Sequence, residues 1–283
     1  MKNTIRITTA LTLFITLISC SSDDNTPQEV TDPVAHLQMV ETLNEGSFDI
    51  ELYSETDQLH VGYNALSIRI KDNTSKKYIE NAAVDWNPVM HMTSMQHSCP
   101  KSEISVSEDK TVYTGFVVFQ MPGNSEEYWN LKIDFNINGE AYSVSKKINV
   151  VGSTDDYRTV NVFMGNDENR YVLANIPADL SVSVNDFEAV LFKMENMMDF
   201  SVVENYIIEI DPRMPGMNNH SSPNNEHLSY DAKTGIYKGK LSLTMTGYWK
   251  INLKVLNNNA QAIKGEDVTE ENEASSIYFD LSI

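Results

Sequence analysis

The chain has 283 residues and is strongly acidic, with 40 Asp and Glu against 21 Lys and Arg and a formal net charge of -19. Such acidity makes nucleic acid a poor partner and argues against an electrostatic patch for anionic lipid heads. Two cysteines, Cys20 and Cys99, exclude a framework of several disulfides.

The first elements concern export. Lys2 and Arg6 open the chain, and the apolar run ITTALTLFITLI (7–18) is too short for a permanent bilayer span. It ends in LISC, Leu17 to Cys20, which resembles the lipobox of bacterial lipoproteins. The resemblance implies a lipoprotein signal peptide over 1–19 and acylation of Cys20. Residues 20–35 are then a flexible tether, reading SSDDNTPQEV after the cysteine. A plain secretory signal that happens to contain a cysteine is the other reading of the same residues. The acids behind Cys20 also resemble the surface-export signal of Bacteroidota lipoproteins. The expected location is the cell envelope, anchored by lipid to the outer membrane and facing the periplasm or the medium. Cleavage would move the net charge from -19 to -21, because residues 1–19 hold Lys2 and Arg6 and no acid. With Cys20 acylated, Cys99 is the one thiol left in an oxidising compartment, either buried and inert or held by a ligand.

Beyond the tether the periodicity is two. LSIRI (66–70), the apolar positions of YTGFVVFQMPG (113–123) and WNLKIDFNI (129–137) predict strands, with turns at KDNTSKK (71–77) and NING (136–139). The stretch VVGSTDDYRT (150–159) marks a boundary, where a strand pattern gives way to Gly, Ser, Thr and Asp. NDFEAVLFKMENMMDF (185–200) passes for a helix by composition, but AVLFKM aligns with LSIRI, so a strand followed by a Met-rich turn is expected. YKGKLSLTM (237–245), WKINLKV (249–255) and SIYFDLSI (276–283) predict further strands. The acidic run GEDVTEENEA (265–274) is expected to be a solvated loop.

These elements repeat. IENAAVDWNPVM (79–90) aligns without gaps with VENYIIEIDPRM (203–214) at an offset of 124 residues. HSCP (97–100) matches HSSP (220–223) after a one-residue gap, and YTGFVVFQMPG matches YKGKLSLTMTG (237–247) at 124 again. A tryptophan follows in both, Trp129 and Trp249. Chance similarity would not restore one offset on both sides of a gap. The expected fold is all-β: two tandem immunoglobulin-like antiparallel β-sandwich domains, 36–150 and 151–283, after the signal peptide.

The repeat is densest in methionine and histidine. One unit carries Met90, His91, Met92, Met95, His97 and Cys99; the other carries Met214, Met217 and His220, with His227 soon after. Thioether and thiolate sulfur select Cu(I), and imidazole suits copper and zinc, whereas zinc rarely takes thioether. In an extended segment Met95, His97 and Cys99 point the same way. In the second loop Pro215 and Gly216 supply the turn that would bring Met214, Met217 and His220 together. Methionine is also a common filler of β cores, so on chemistry alone metal site and ordinary turn stay open. Met121 and Met245 read as core, Met194, Met197 and Met198 as packing, and His36, His60 and His91 as surface residues.

The segment DPRMPGMNNHSSP (211–223), with GIYKG (235–239) and MTGYW (245–249), resembles the YtkA-like domain related to the FixH family. Those are small extracytoplasmic β-sandwiches with a Met-Pro-x-Met loop, a following His, a Gly-x-Tyr-x-Gly strand and a Met-x-Gly-x-Trp strand. The likeness covers residues 211 to 255, and the first unit is a diverged copy without the proline between its methionines. The family is associated with copper handling, so the resemblance implies Met214, Met217 and His220 as ligands. Met92, Met95, His97 and Cys99 are the counterpart set. A copper cofactor and a protein partner that donates or receives it follow from that reading. The competing expectation is a non-catalytic interaction lipoprotein presenting a surface to a protein or glycan. An enzyme is the weakest reading, because no Ser/His/Asp arrangement, phosphate loop or framed carboxylate pair is present.

Overall fold

Alternating segments become strands because extended chain turns successive side chains to opposite faces, and the apolar set can be buried on one of them. The computed structural model describes residues 32–283; the apolar leader, Cys20 and the tether as far as residue 31 lie outside the described residues. In chain order the strands begin with β1 (Gln38–Glu45), β2 (Phe48–Ser54), β3 (Leu59–His60), β4 (Gly62–Asp72), β5 (Ala83–His91) and β6 (Gln96–Ser98). There follow β7 (Ser105–Val106), β8 (Tyr113–Phe119), β9 (Tyr128–Ile137), β10 (Glu140–Ile148) and β11 (Val150–Val151). One sheet has the order β1-β2-β4-β8-β7, and β10-β9-β5-β6 forms the other. Between them lies a core that includes Leu43, Ile68, Trp86, Met90, Phe119 and Trp129.

The second half repeats the plan. It runs β12 (Val160–Met164), β13 (Arg170–Asn175), β14 (Val184–Met194), β15 (Phe200–Val202), β16 (Ile207–Met214) and β17 (His220–Ser221). Then come β18 (Glu226–Asp231), β19 (Ile236–Ser242), β20 (Tyr248–Leu256), β21 (Ala262–Lys264) and β22 (Tyr278–Ser282). The order β12-β13-β14-β19-β18 matches that of the first sheet, and β16 pairs with β17 and β20 as β5 does with β6 and β9. Here β18 also pairs with β16 through Ile207↔Ser229 and Ile208↔Leu228, so the two layers join into one 11-stranded sheet. The second core is drawn from residues 163–279, among them Phe187, Met214, Trp249 and Phe279.

The protein is therefore an all-β chain of immunoglobulin-like antiparallel sandwich type, and its sheets and two main cores segregate on either side of the expected boundary stretch. An apolar seam of Val118, Val172, Ala174, Val190 and Phe192 packs the halves together, and Pro33–Ile283 forms one compact unit. Equivalent contacts recur in both halves. The Tyr113 hydroxyl donates to Ile79 O at 2.8 Å and the Tyr237 hydroxyl to Val203 O at 2.7 Å, pairs that keep the 124-residue offset. Trp129 Nε1 donates to Met121 O at 2.9 Å and Trp249 Nε1 to Met245 O at 3.0 Å. A buried ring must satisfy its polar atom, so each unit spends the same residue on the same task.

Two expectations change in detail, and one, the strand and turn over 185–200, is borne out. Val34 is buried against Tyr53 and Val112, so packed chain begins before the expected end of the tether at residue 35. The segment 185–200 is a strand through Met194 followed by a turn, and only its composition was helical. The acidic run is tied down as well as solvated: Lys254 Nζ pairs with Asp267 at 2.9 Å, and Glu266 Oε2 accepts from the Ser276 amide at 2.7 Å.

Candidate metal site

In the second half β16 ends at Met214, a one-turn 3-10 segment covers Pro215–Met217, and β17 returns at His220. Asn218 and Asn219 take left-handed backbone, φ 53° and 57°, which asparagine tolerates better than most residues and which reverses the chain. The Arg213 guanidinium bridges both oxygens of Asp211 at 2.7 and 2.9 Å and reaches Asn219 O, while Asn219 Nδ2 donates to Glu273 O at 3.0 Å. These bonds hold a loop that has little apolar support of its own.

Met214 and His220 are direct partners across β16 and β17, so their side chains leave the same face of the sheet. Met214 is buried, its Cε 3.3 Å from where a Cβ on Gly247 would stand. Met217 is 54% exposed at the turn, and His220 is exposed. The sequence-expected trio thus occupies one loop, with one thioether in the core and the other two groups at the surface.

The first half has the same register. Met90 pairs with His97 across β5 and β6, and Met90 pairs with Trp129 across β5 and β9. Its turn is tighter, closed by the Met92 amide donating to Met95 O at 3.0 Å. His97 is nine-tenths buried, lies edge-on to Trp129 at 5.5 Å, and has Nδ1 2.8 Å from Ser98 O. A carbonyl only accepts, so Nδ1 is the donor of this contact and Nε2 is the ring nitrogen left for any other partner. Met92 is half-buried on the core edge, and Met95 is 50% exposed.

Cys99 departs from its neighbours. It is 1% exposed within the first core, and burial pushes its thiol far above the ordinary range. Of the two readings left open for this residue, its burial in the core fits the buried, inert one. It belongs to a buried run with His97 and Ser98, while Met95 stands in solvent. His227 and His91 are otherwise engaged: His227 Nδ1 accepts from the Ile210 amide at 3.2 Å, and His91 stacks on Tyr128 at 5.1 Å.

The structure also places a neighbour that sequence reading assigned to packing. The Ser98 amide donates to Met197 O at 2.8 Å, so the Met-rich turn after β14 lies against β6 beside His97, with Met197 and Met198 about two-fifths exposed. Nothing in local sequence signals this, because the contact depends on how the halves dock.

Among the described residues no group of three or more His, Cys, Asp and Glu is placed to hold a metal. The two loops carry thioether and imidazole groups, the donor types that suit a soft monovalent cation better than calcium or magnesium.

No family model matches the chain, and no curated protein matches it. Among solved structures it is similar to FdeC, an Escherichia coli adhesin, with 11% identity, a TM-score of 0.27, and coverage of 86% of this chain and 65% of that one. It is similar to a DUF4785 family protein from Legionella pneumophila at 10% identity and TM-score 0.26, covering 77% of this chain and 55% of that one. A titin A168–A169 structure matches at 10% identity and TM-score 0.18, over 70% of this chain and 91% of that one. The chain thus spans under two thirds of the first two structures. At these values the likenesses carry no function, and the fold rests on the strand topology above.

Proposed function

We propose that this protein is a lipid-anchored, non-catalytic component of the cell envelope that binds Cu(I) through its two Met/His loops and passes it to or from a protein partner. The observation that carries the reading is the recurrence of a cross-strand Met–His pair in both halves, Met90 with His97 and Met214 with His220. Beside each pair an apolar thioether is left half in water, Met95 and Met217. Packing explains Met90 and Met214; it does not explain solvent-facing thioethers next to a histidine. His97, with Nδ1 tied to a carbonyl, offers Nε2 as a donor. The ligand sets are Met217, His220 and Met214 in one loop, and Met92, Met95 and His97 in the other. Cys99 is not among them, and the lipid attachment at Cys20 belongs to the same proposal.

Methionine-methyl NMR tests this directly. On adding Cu(I), the methyl signals of Met92, Met95, Met214 and Met217 are expected to shift, while those of Met39 and Met164 stay in place. These two are as exposed, at 52% and 56%, but have no histidine partner across the sheet. Equal shifts at all exposed methionines, or none in the loops, would sink the reading and favour an interaction module.

A further inference from the structure

A cavity of about 360 Å³ opens where the halves meet, within the size range of small-molecule sites. Three segments wall it: the end of β2 through the start of β4, the connecting stretch 153–159, and the end of β13 with Ile176 and Pro177. The walls are fixed to one another. β11 pairs in parallel with β3, the Val61 amide donates to Val151 O at 2.9 Å, and Thr159 Oγ1 donates to Val61 O at 3.1 Å. The Asn64 side chain makes three bonds to the backbone of 60–62, which rigidifies the turn between β3 and β4. A cleft held this way is preformed, and preformed clefts lose less on binding.

Its chemistry is specific. Asn175 lines the cavity, and its Oδ1 is buried with no donor among the described residues. An acceptor in that position calls for a donor from whatever fills the space. His60 Nδ1 lies 3.3 Å from Gly152 O and donates to it, which fixes the ring at the cavity wall. Tyr63 and Tyr157 contribute ring faces, Tyr63 backed by Phe116 at 4.8 Å. The burial that surrounds Tyr63 pushes its hydroxyl up to about 12, so it stays neutral. No Lys or Arg lines the cavity, and its one carboxylate is the exposed Glu55. In a chain of net charge -19 that favours a neutral ligand over an anionic one. By contrast, the roomier cleft under the second Met/His loop has its charges consumed internally, Arg213 by Asp211 and Lys254 by Asp267.

We infer that this seam cavity is a binding site for a neutral sugar of one or two residues. A sugar hydroxyl supplies the donor that Asn175 Oδ1 lacks, and the C–H face of the ring lies on tyrosine. The site is separate from the Met/His loops, so it stands or falls independently of copper.

Saturation-transfer NMR on the full chain, kept in a sugar-free detergent, provides the test. The probes are glucose, galactose, mannose, N-acetylglucosamine and cellobiose, with glucuronate as the anionic control. Transfer to the ring protons of at least one neutral sugar is expected, with affinity falling roughly tenfold or more in Tyr157→Ala and in Asn175→Leu. Thr56→Trp, a bulky change at an exposed rim position, is expected to abolish it without touching buried contacts, and Met217→Ser to leave it unchanged. Melting temperatures identify any variant that fails to fold, and Thr56→Trp then decides. No transfer with any neutral probe, preference for glucuronate, or transfer that survives Thr56→Trp would overturn the inference.

Discussion

Gly62 shows how much of this molecule rests on single positions. Its φ of +103° is open to glycine alone in practice, and a Cβ there would stand 2.5 Å from Thr159 Oγ1, the hydroxyl that ties the connecting stretch to Val61. Gly62→Ala is expected to cost about 1–3 kcal/mol, read as a lower urea midpoint at unchanged slope. An unchanged midpoint would mean that the seam is looser than described. Cys99 offers a second check at this scale. Its thiol is sealed in the first core and held protonated by burial. Maleimide at neutral pH is therefore expected to label it only after denaturation; labelling of the native chain would restore it as a ligand candidate. Alternation in the sequence groups Cys99 with Met95 and His97, whereas the structure buries His97, Ser98 and Cys99 in succession and leaves Met95 in solvent. How far the hairpin sinks into the sandwich is a tertiary matter.

At the scale of elements, the duplication was legible because it was written in residues with tasks that tolerate few substitutes. Tyr113 and Tyr237 each bond a carbonyl 34 residues upstream, Ile79 and Val203. Removing either hydroxyl strands a carbonyl, so Tyr113→Phe and Tyr237→Phe are each expected to lose about 1–3 kcal/mol, and by similar amounts. A loss in one half alone would mean that the repeats are alike in sequence and not in mechanics. The acidic run near the C-terminus was less legible, since its charges suggested only solvation. Glu266 is held below the ordinary carboxylate range, chiefly by the Ser276 amide it accepts from. A depressed folded value means that the contribution is complete above the unfolded value, about 4.3, and is lost as pH falls through the folded one. Amide exchange at Ser276, corrected for intrinsic rate, is expected to accelerate over that descent. Glu266→Gln should remove the pH dependence; if it persists, another group holds the loop.

For the whole molecule, the all-β class follows from period-two patterning, whereas the strand order, the closing pair β16–β18 and the docking of the two halves do not. Patterning specifies which face of a strand is buried and says nothing about what arrives from 100 residues away. That is why the Met-rich turn around Met197 was read as packing and now lies beside His97 through the Ser98 amide. It is also why the seam cavity has no signature in the sequence. The loop DPRMPGMNNHSSP keeps its place as the more exposed of two equivalent loops, with Met217 and His220 at its surface and Met214 beneath. The central claim is that these loops hold Cu(I), and a Cu(I) competition titration against a calibrated chelator tests it most directly. The full chain is predicted to bind Cu(I) roughly a hundredfold or more tighter than a variant lacking Met92, Met95, His97, Met217 and His220, a gap of about 2.7 kcal/mol. Equal affinity in wild type and variant would contradict it.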